Sequence, residues 1–158
     1  MELSHESVVP FLGVVSEDQG PGLVSLWYQR GNLSHFLSRS YHRTVNREIL
    51  CYDVASGLKY LHTHEPQIVH GDLKGVRISI ILQANVLIDP EGRACLCDFG
   101  LSIMDDGLPT GHTSSDFGGS LRFLAPELLE NSRKTAATDV YAFGCLCIEA
   151  RCLLALRS

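Results

Sequence analysis

Between Asn46 and His64 the apolar residues Leu50, Val54, Leu58 and Leu61 recur at steps of four, four and three. That spacing puts them on one face of an α-helix, and such a face is stable only where it packs against other apolar groups. Further along the chain the pattern changes. "ANVLID" and "RACLCDF" flank "PEG" and have the length and turn signals of two short strands. "SVVPFLGVVSED" and "GLVSLWYQ" predict a small hairpin joined through "DQGPG". "DVYAFGCLCIEA", from about Asp139, is apolar on nearly all sides and predicts a second, buried helix. Residues 102 to 120, rich in Gly, Ser, Thr and Asp, predict a long loop. No internal repeat or low-complexity linker interrupts these elements, so the expected class is α+β.

The balance of residue types narrows the function classes. The 158 residues suit one domain, and 45% hydrophobic with 20% charged is a globular composition. The formal charge of -5 and the lack of a basic run argue against a phosphate-backbone binder, so no nucleic-acid partner is expected. "MELSHESVVPF" lacks a basic start followed by a long apolar stretch, and no run approaches the ~18 apolar residues of a membrane span. The expectation is an intracellular, cytoplasmic chain with no membrane partner.

Cys95 and Cys97, two apart in a strand, would share a face. Cys145 and Cys147, two apart in a helix, would diverge by about 200°. A zinc site built on both pairs is poorly specified, and small buried thiols, at home in a reducing compartment, are the stronger reading. His62, His64 and His70 have no supporting carboxylate or cysteine spacing and read as surface or structural histidines.

Four short sequences then occur in order: His70-Gly71-Asp72-Leu73-Lys74, Asn85-Val86-Leu87, Asp98-Phe99-Gly100 and Ala125-Pro126-Glu127. Together they resemble the catalytic loop, the metal-binding DFG and the APE of protein kinases. "GNLSHFL", "ILCYDVASGLKYLH" and "TDVYAFGCLCIE" extend the resemblance over most of the chain, with a likeness to the tyrosine-kinase-like group of Ser/Thr kinases. The resemblance implies a truncated protein-kinase-like fold. Residues 1–28 would be the end of the small lobe and the hinge, and residues 29–158 an incomplete, mainly helical large lobe.

Transfer of a γ-phosphoryl group needs an acceptor hydroxyl held in line, a carboxylate near its proton, and cations that gather the phosphate oxygens. By resemblance, Asp72 is the catalytic carboxylate and Lys74 brings positive charge to the transferred phosphate. Asn85 and Asp98 offer hard oxygen ligands for Mg²⁺. Leu26, Trp27 and Tyr28 fall where a kinase hinge presents backbone groups to the adenine of ATP, and Leu87 where an apolar side chain lies beneath the ring. Gly71 replaces the Arg that in many kinases pairs with an activation-loop phosphate, which speaks against that switch. Thr113, Ser114 and Ser115 are candidate phosphosites.

Within residues 1–158 nothing resembles the Gly-rich loop, the V-A-I-K lysine or its partner glutamate. After "CIEA" the likeness ends, and the arginine that pairs with the APE glutamate is missing, which would leave Glu127 as an uncompensated member of a buried pair. Four residues separate the Asp and Asn of the kinase loop. Leu73 to Ala84 is twelve, so eight are extra. Removing Val76–Gln83 restores "HGDLKGANVLID", and residues 76–83 read as a spurious insertion of translated intron sequence.

The implied activity is ATP-dependent phosphorylation of Ser/Thr in a protein substrate, with ATP and Mg²⁺ as cofactors, and with this chain inactive alone. The alternative is a non-catalytic, pseudokinase-like binding or scaffold module.

Overall fold

A computed structural model describes residues 3–17, 20–38, 45–73, 85–98, 103–104, 123–129 and 133–155. The chain opens with a hairpin of β1 (Phe11–Glu17) and β2 (Gly20–Ser25), antiparallel with Val14 opposite Leu23 and an irregularity between Phe11 and Gly13. The hairpin expectation holds, but Gly20, Pro21 and Gly22 of the expected turn belong to β2. Pro21 faces Ser16 and Gly22 faces Val15 across the ladder. In a two-stranded hairpin each strand has a free edge, where a proline costs no ladder bond.

Helix α1 (Leu33–Ser38) starts where Asn32 Oδ1 accepts the His35 N–H at 2.8 Å, and it buries Leu33, Phe36 and Leu37. Helix α2 (Arg47–His62) matches the periodic segment closely. Asn46 caps it, its Oδ1 accepting from Glu48 N at 2.9 Å and Ile49 N at 3.3 Å. Its buried face holds Leu50, Val54, Leu58 and Leu61, as the spacing predicts. Each such side chain taken from water stabilises the fold by roughly 1.5–3 kcal/mol before entropic losses.

Next come β3 (Ile68–Val69), β4 (Val86–Ile88), β5 (Ala94–Leu96) and β6 (Ile103–Met104), paired antiparallel as β3 with β6 and β4 with β5. Strand β6 falls inside the segment expected to be a loop. The remainder of that loop, with Thr113, Ser114 and Ser115, lies outside the described residues, as do Lys74 and residues 76–83.

The β4–β5 turn is closed by Asp89, whose carboxylate accepts from Arg93 N and Arg93 Nε, each at 2.8 Å. Burial opposes ionisation of Asp89, but these bonds outweigh it and hold its pKa below the usual value.

Helix α3 (Ala136–Ala155) begins beside Thr135 and Thr138, which cap each other reciprocally: Thr138 Oγ1 accepts Thr135 N–H at 3.0 Å and Thr135 Oγ1 accepts Thr138 N–H at 3.3 Å. A 3₁₀ turn, Pro126–Leu129, precedes it. Glu127 in this turn is exposed, so the penalty expected for an unpaired buried charge does not arise.

The core forms between α1, α2, α3 and the β4–β5 hairpin, with Val54, Leu61, Val86, Ile88 and Leu96 fully enclosed. The N-terminal segment crosses it: Val9 N donates to Leu96 O at 2.8 Å and Leu96 N to Ser7 O at 2.9 Å. A Cβ on Gly57 would stand 2.7 Å from Ser7 O, so only glycine lets α2 approach that closely. Asp53 of α2 accepts the Ala94 N–H at 3.0 Å and joins helix to hairpin, while burial raises its pKa.

Candidate active site

Strand β3 runs into His70-Gly71-Asp72-Leu73, and this loop is held from beneath by one carboxylate. Asp139, in the first turn of α3 and 2% exposed, accepts the His70 N–H through Oδ2 and the Gly71 N–H through Oδ1, each at 2.8 Å. His62, at the end of α2, completes the bracket at 2.9 Å from Asp139 Oδ2. An acid in the first turn of a helix is favoured by the helix dipole, and here it is also the anchor of the loop. Gly71 sits at φ +73°, in the left-handed region where glycine is unstrained.

His70 is fully buried, and its two ring nitrogens have distinct partners. Nε2 lies 3.0 Å from the Cys97 carbonyl, which can only accept, so Nε2 carries the proton. Nδ1 then accepts the Asp72 N–H at 3.3 Å. The ring is a neutral strut between the loop and the end of β5. Burial pushes its pKa below the usual histidine value, against the pull of Asp139.

The loop delivers Asp72 to Asn85. Asn85 Nδ2 donates to Asp72 O at 2.7 Å and to Asp72 Oδ2 at 3.1 Å. Asn85 is buried and precedes β4, and its carbonyl accepts the Cys97 N–H at 3.1 Å. Asp98 follows directly, exposed and at φ 60°. The register therefore places Asn85 and Asp98 at the same open end of the β4–β5 hairpin, beside Asp72. With Nδ2 committed to Asp72, the atom of Asn85 with ligand chemistry is Oδ1. An amide oxygen and a carboxylate are the hard donors that Mg²⁺ prefers, so this pair could hold that ion.

Tyr28 and Leu87 pack on a small cluster of Val9, Cys95 and Cys97, whereas Leu26 and Trp27 are exposed, Trp27 at 86%. The Tyr28 carbonyl already accepts the Gly31 N–H at 3.0 Å. Burial raises the pKa of the Tyr28 hydroxyl, with Cys95 and Asp89 adding to it. Burial also pushes Cys95 up to about 11 and Cys97 up to about 12, so both keep their protons at neutral pH. Both are buried thiols, and among the described residues no group of three or more His, Cys, Asp or Glu side chains is placed to hold a metal ion.

His62 and His70 are structural, and His62 gains in Asp139 a carboxylate partner from a helix far along the chain. Asp139 is also the functional residue that sequence reasoning missed. Its only local signal is an acid at the start of an otherwise apolar helix.

A loop carboxylate, a neighbouring amide and an acid after the next hairpin thus stand at one end of the β4–β5 hairpin. The family model described as protein tyrosine and serine/threonine kinase matches residues 1–154. The chain belongs to this protein kinase family. Receptor-interacting serine/threonine-protein kinase 3 of Rattus norvegicus is 41% identical over 157 residues, covering 92% of this chain and 31% of the relative. Its Homo sapiens counterpart is 38% identical over 154 residues, covering 91% and 28%. Serine/threonine-protein kinase CTR1 of Arabidopsis thaliana is 34% identical over 146 residues, covering 90% and 17%. The chain thus spans less than a third of the length of these curated relatives. Among the described residues, no helix is long and apolar enough to cross a membrane.

Proposed function

We propose that the chain carries the catalytic-loop part of an ATP- and Mg²⁺-dependent protein Ser/Thr kinase domain. Residues 1–28 then end the small lobe and form the hinge, and residues 29–158 belong to the large lobe. Asp72 accepts the proton of the substrate hydroxyl and orients its oxygen towards the phosphate. Asn85 restrains the Asp72 carboxylate through Nδ2 and, with Asp98, takes the metal side of the site. When bound, Mg²⁺ supplies positive charge at the phosphate oxygens. Lys74 adds charge at the transferred group. The backbone of Leu26, Trp27 and Tyr28 receives adenine, with Leu87 beneath it.

The observation that carries this reading is the contact of Asn85 with Asp72 at 3.1 Å, which sets the carboxylate beside a hard metal ligand even though the connecting chain is long. Residues 1–158 contain neither a Gly-rich loop nor a V-A-I-K lysine, so transfer by this chain alone is expected to stay at background.

The test joins the segment that precedes the matched region in the rat relative to residues 1–158. Transfer of radiolabelled phosphate to Ser/Thr substrates and a nucleotide thermal shift are then measured side by side. Transfer that Asp72→Asn abolishes supports the kinase reading. A thermal shift without transfer would replace it with the non-catalytic binding module.

A further inference from the structure

Helices α2 and α3 run past each other beneath the catalytic loop and are pinned near both ends. At one end His62 of α2 meets Asp139 of α3 at 2.9 Å. At the other, Arg151 of α3 meets Glu48 of α2 at 2.7 Å, and the Arg47 guanidinium donates to the Ala150 carbonyl. Residues three or four apart on a helix share a face. Cys51 is three after Glu48, and Cys147 is four before Arg151. These contacts pair the helices antiparallel and therefore bring the two cysteines to the same seam one turn further in. Both are half-buried, and the neighbouring side chains Ile49, Tyr52 and Ile148 are exposed, so the seam lies within reach of a small oxidant.

We propose that Cys51 and Cys147 are a redox pair that hydrogen peroxide, or a related hydroperoxide, closes into a disulfide tying α2 to α3. Burial, with Cys51 alongside, pushes the Cys147 thiol up to about 12, so Cys147 is the resolving rather than the attacking sulfur. The Cys51 sulfur, giving up its proton, attacks one peroxide oxygen. The O–O bond breaks, the Cys51 sulfenic acid forms, and the released hydroxide leaves as water with the Cys51 proton. Cys147 sulfur then attacks Cys51 sulfur. The S–S bond forms as the S–O bond breaks, and the Cys147 proton departs with that hydroxide as a second water. The sulfurs lose two electrons and the peroxide gains them.

The buried Cys95 and Cys97, although close in sequence, stay reduced because both are closed off from solvent, whereas Cys51 and Cys147 are half-buried. The modification acts on the frame that carries Asp139 and hence the loop, and it does not depend on whether the chain transfers phosphate.

The experiment treats the 158-residue chain with hydrogen peroxide, blocks free thiols, and maps disulfides by mass spectrometry without reduction. The expected result is an intramolecular Cys51–Cys147 peptide pair that dithiothreitol separates. In Cys147→Ser, Cys51 is expected to be trapped by dimedone as the sulfenic acid. An absent Cys51–Cys147 link, or a dominant pairing through Cys95, Cys97, Cys145, Cys152 or a second molecule, overturns the proposal. Peptide mapping of the unsubstituted chain decides the matter even if Cys147→Ser folds poorly.

Discussion

Asn85 Nδ2 holds both the carbonyl of Asp72, at 2.7 Å, and its carboxylate, at 3.1 Å, across a connection eight residues longer than the kinase pattern. The bond closes the loop at its base, so the extra residues need not displace either partner. Stretching a loop from four to twelve residues costs only about 1 kcal/mol in closure entropy. Deleting Val76–Gln83 should accordingly keep the fold and raise stability by no more than about 1 kcal/mol in urea denaturation. Loss of cooperative unfolding in the deleted chain would show that these residues carry part of the core.

Asp139 is expected to be among the costliest polar residues to replace. Asp139→Ala removes the acceptor for two backbone N–H groups and for His62, and hydrogen bonds to a charged group contribute about 1.5–3 kcal/mol each. A destabilisation of at least about 3 kcal/mol should appear in the urea midpoint, taking two such bonds at the low end. Asp139→Asn should fall between the two, because one oxygen survives while an N–H now confronts a donor. A change within the ±0.5 kcal/mol typical of surface sites would contradict the anchoring role.

His70 gives stability a defined pH dependence. Its folded pKa lies below the ordinary 6.5, so between the folded pKa and about 6.5 the unfolded chain binds more protons than the folded one. Stability therefore rises with pH through that window and levels off above it. Acidification from pH 7 towards pH 5 should lower the urea midpoint, and His70→Gln should flatten the slope whatever its effect at pH 7. An unchanged slope in the variant would mean that the ring does not stay neutral in the fold.

Much of this architecture is legible in the chain. Leu50, Val54, Leu58 and Leu61 declare α2, and Asn46 marks its start because a side-chain oxygen there can satisfy free helix N–H groups. The order of Asp72, Asn85 and Asp98 announces the site, yet their meeting depends on the β4–β5 register, in which Cys97 bonds back to Asn85. Gly20 to Gly22 misled because turn-forming residues are tolerated where a strand has a free edge. Ile103 and Met104 pair with β3 from within a polar stretch, and a two-residue strand leaves no periodicity to detect. The contacts of Asp139 with His62, His70 and Gly71 join elements far apart in sequence, which spacing within one element cannot reveal.

The most direct test of the account separates proton acceptance from metal binding in the chimera described above, using Mg-ATP titration calorimetry beside phosphate transfer. Asp72→Asn should lower transfer by about 10²–10⁴-fold, the usual weight of a general base, and leave Mg-ATP affinity unchanged. Asp98→Asn should weaken both, since it removes a charge from the metal side of the site. Undiminished transfer by Asp72→Asn, or undiminished Mg-ATP binding by Asp98→Asn, would contradict the assignment of these two carboxylates.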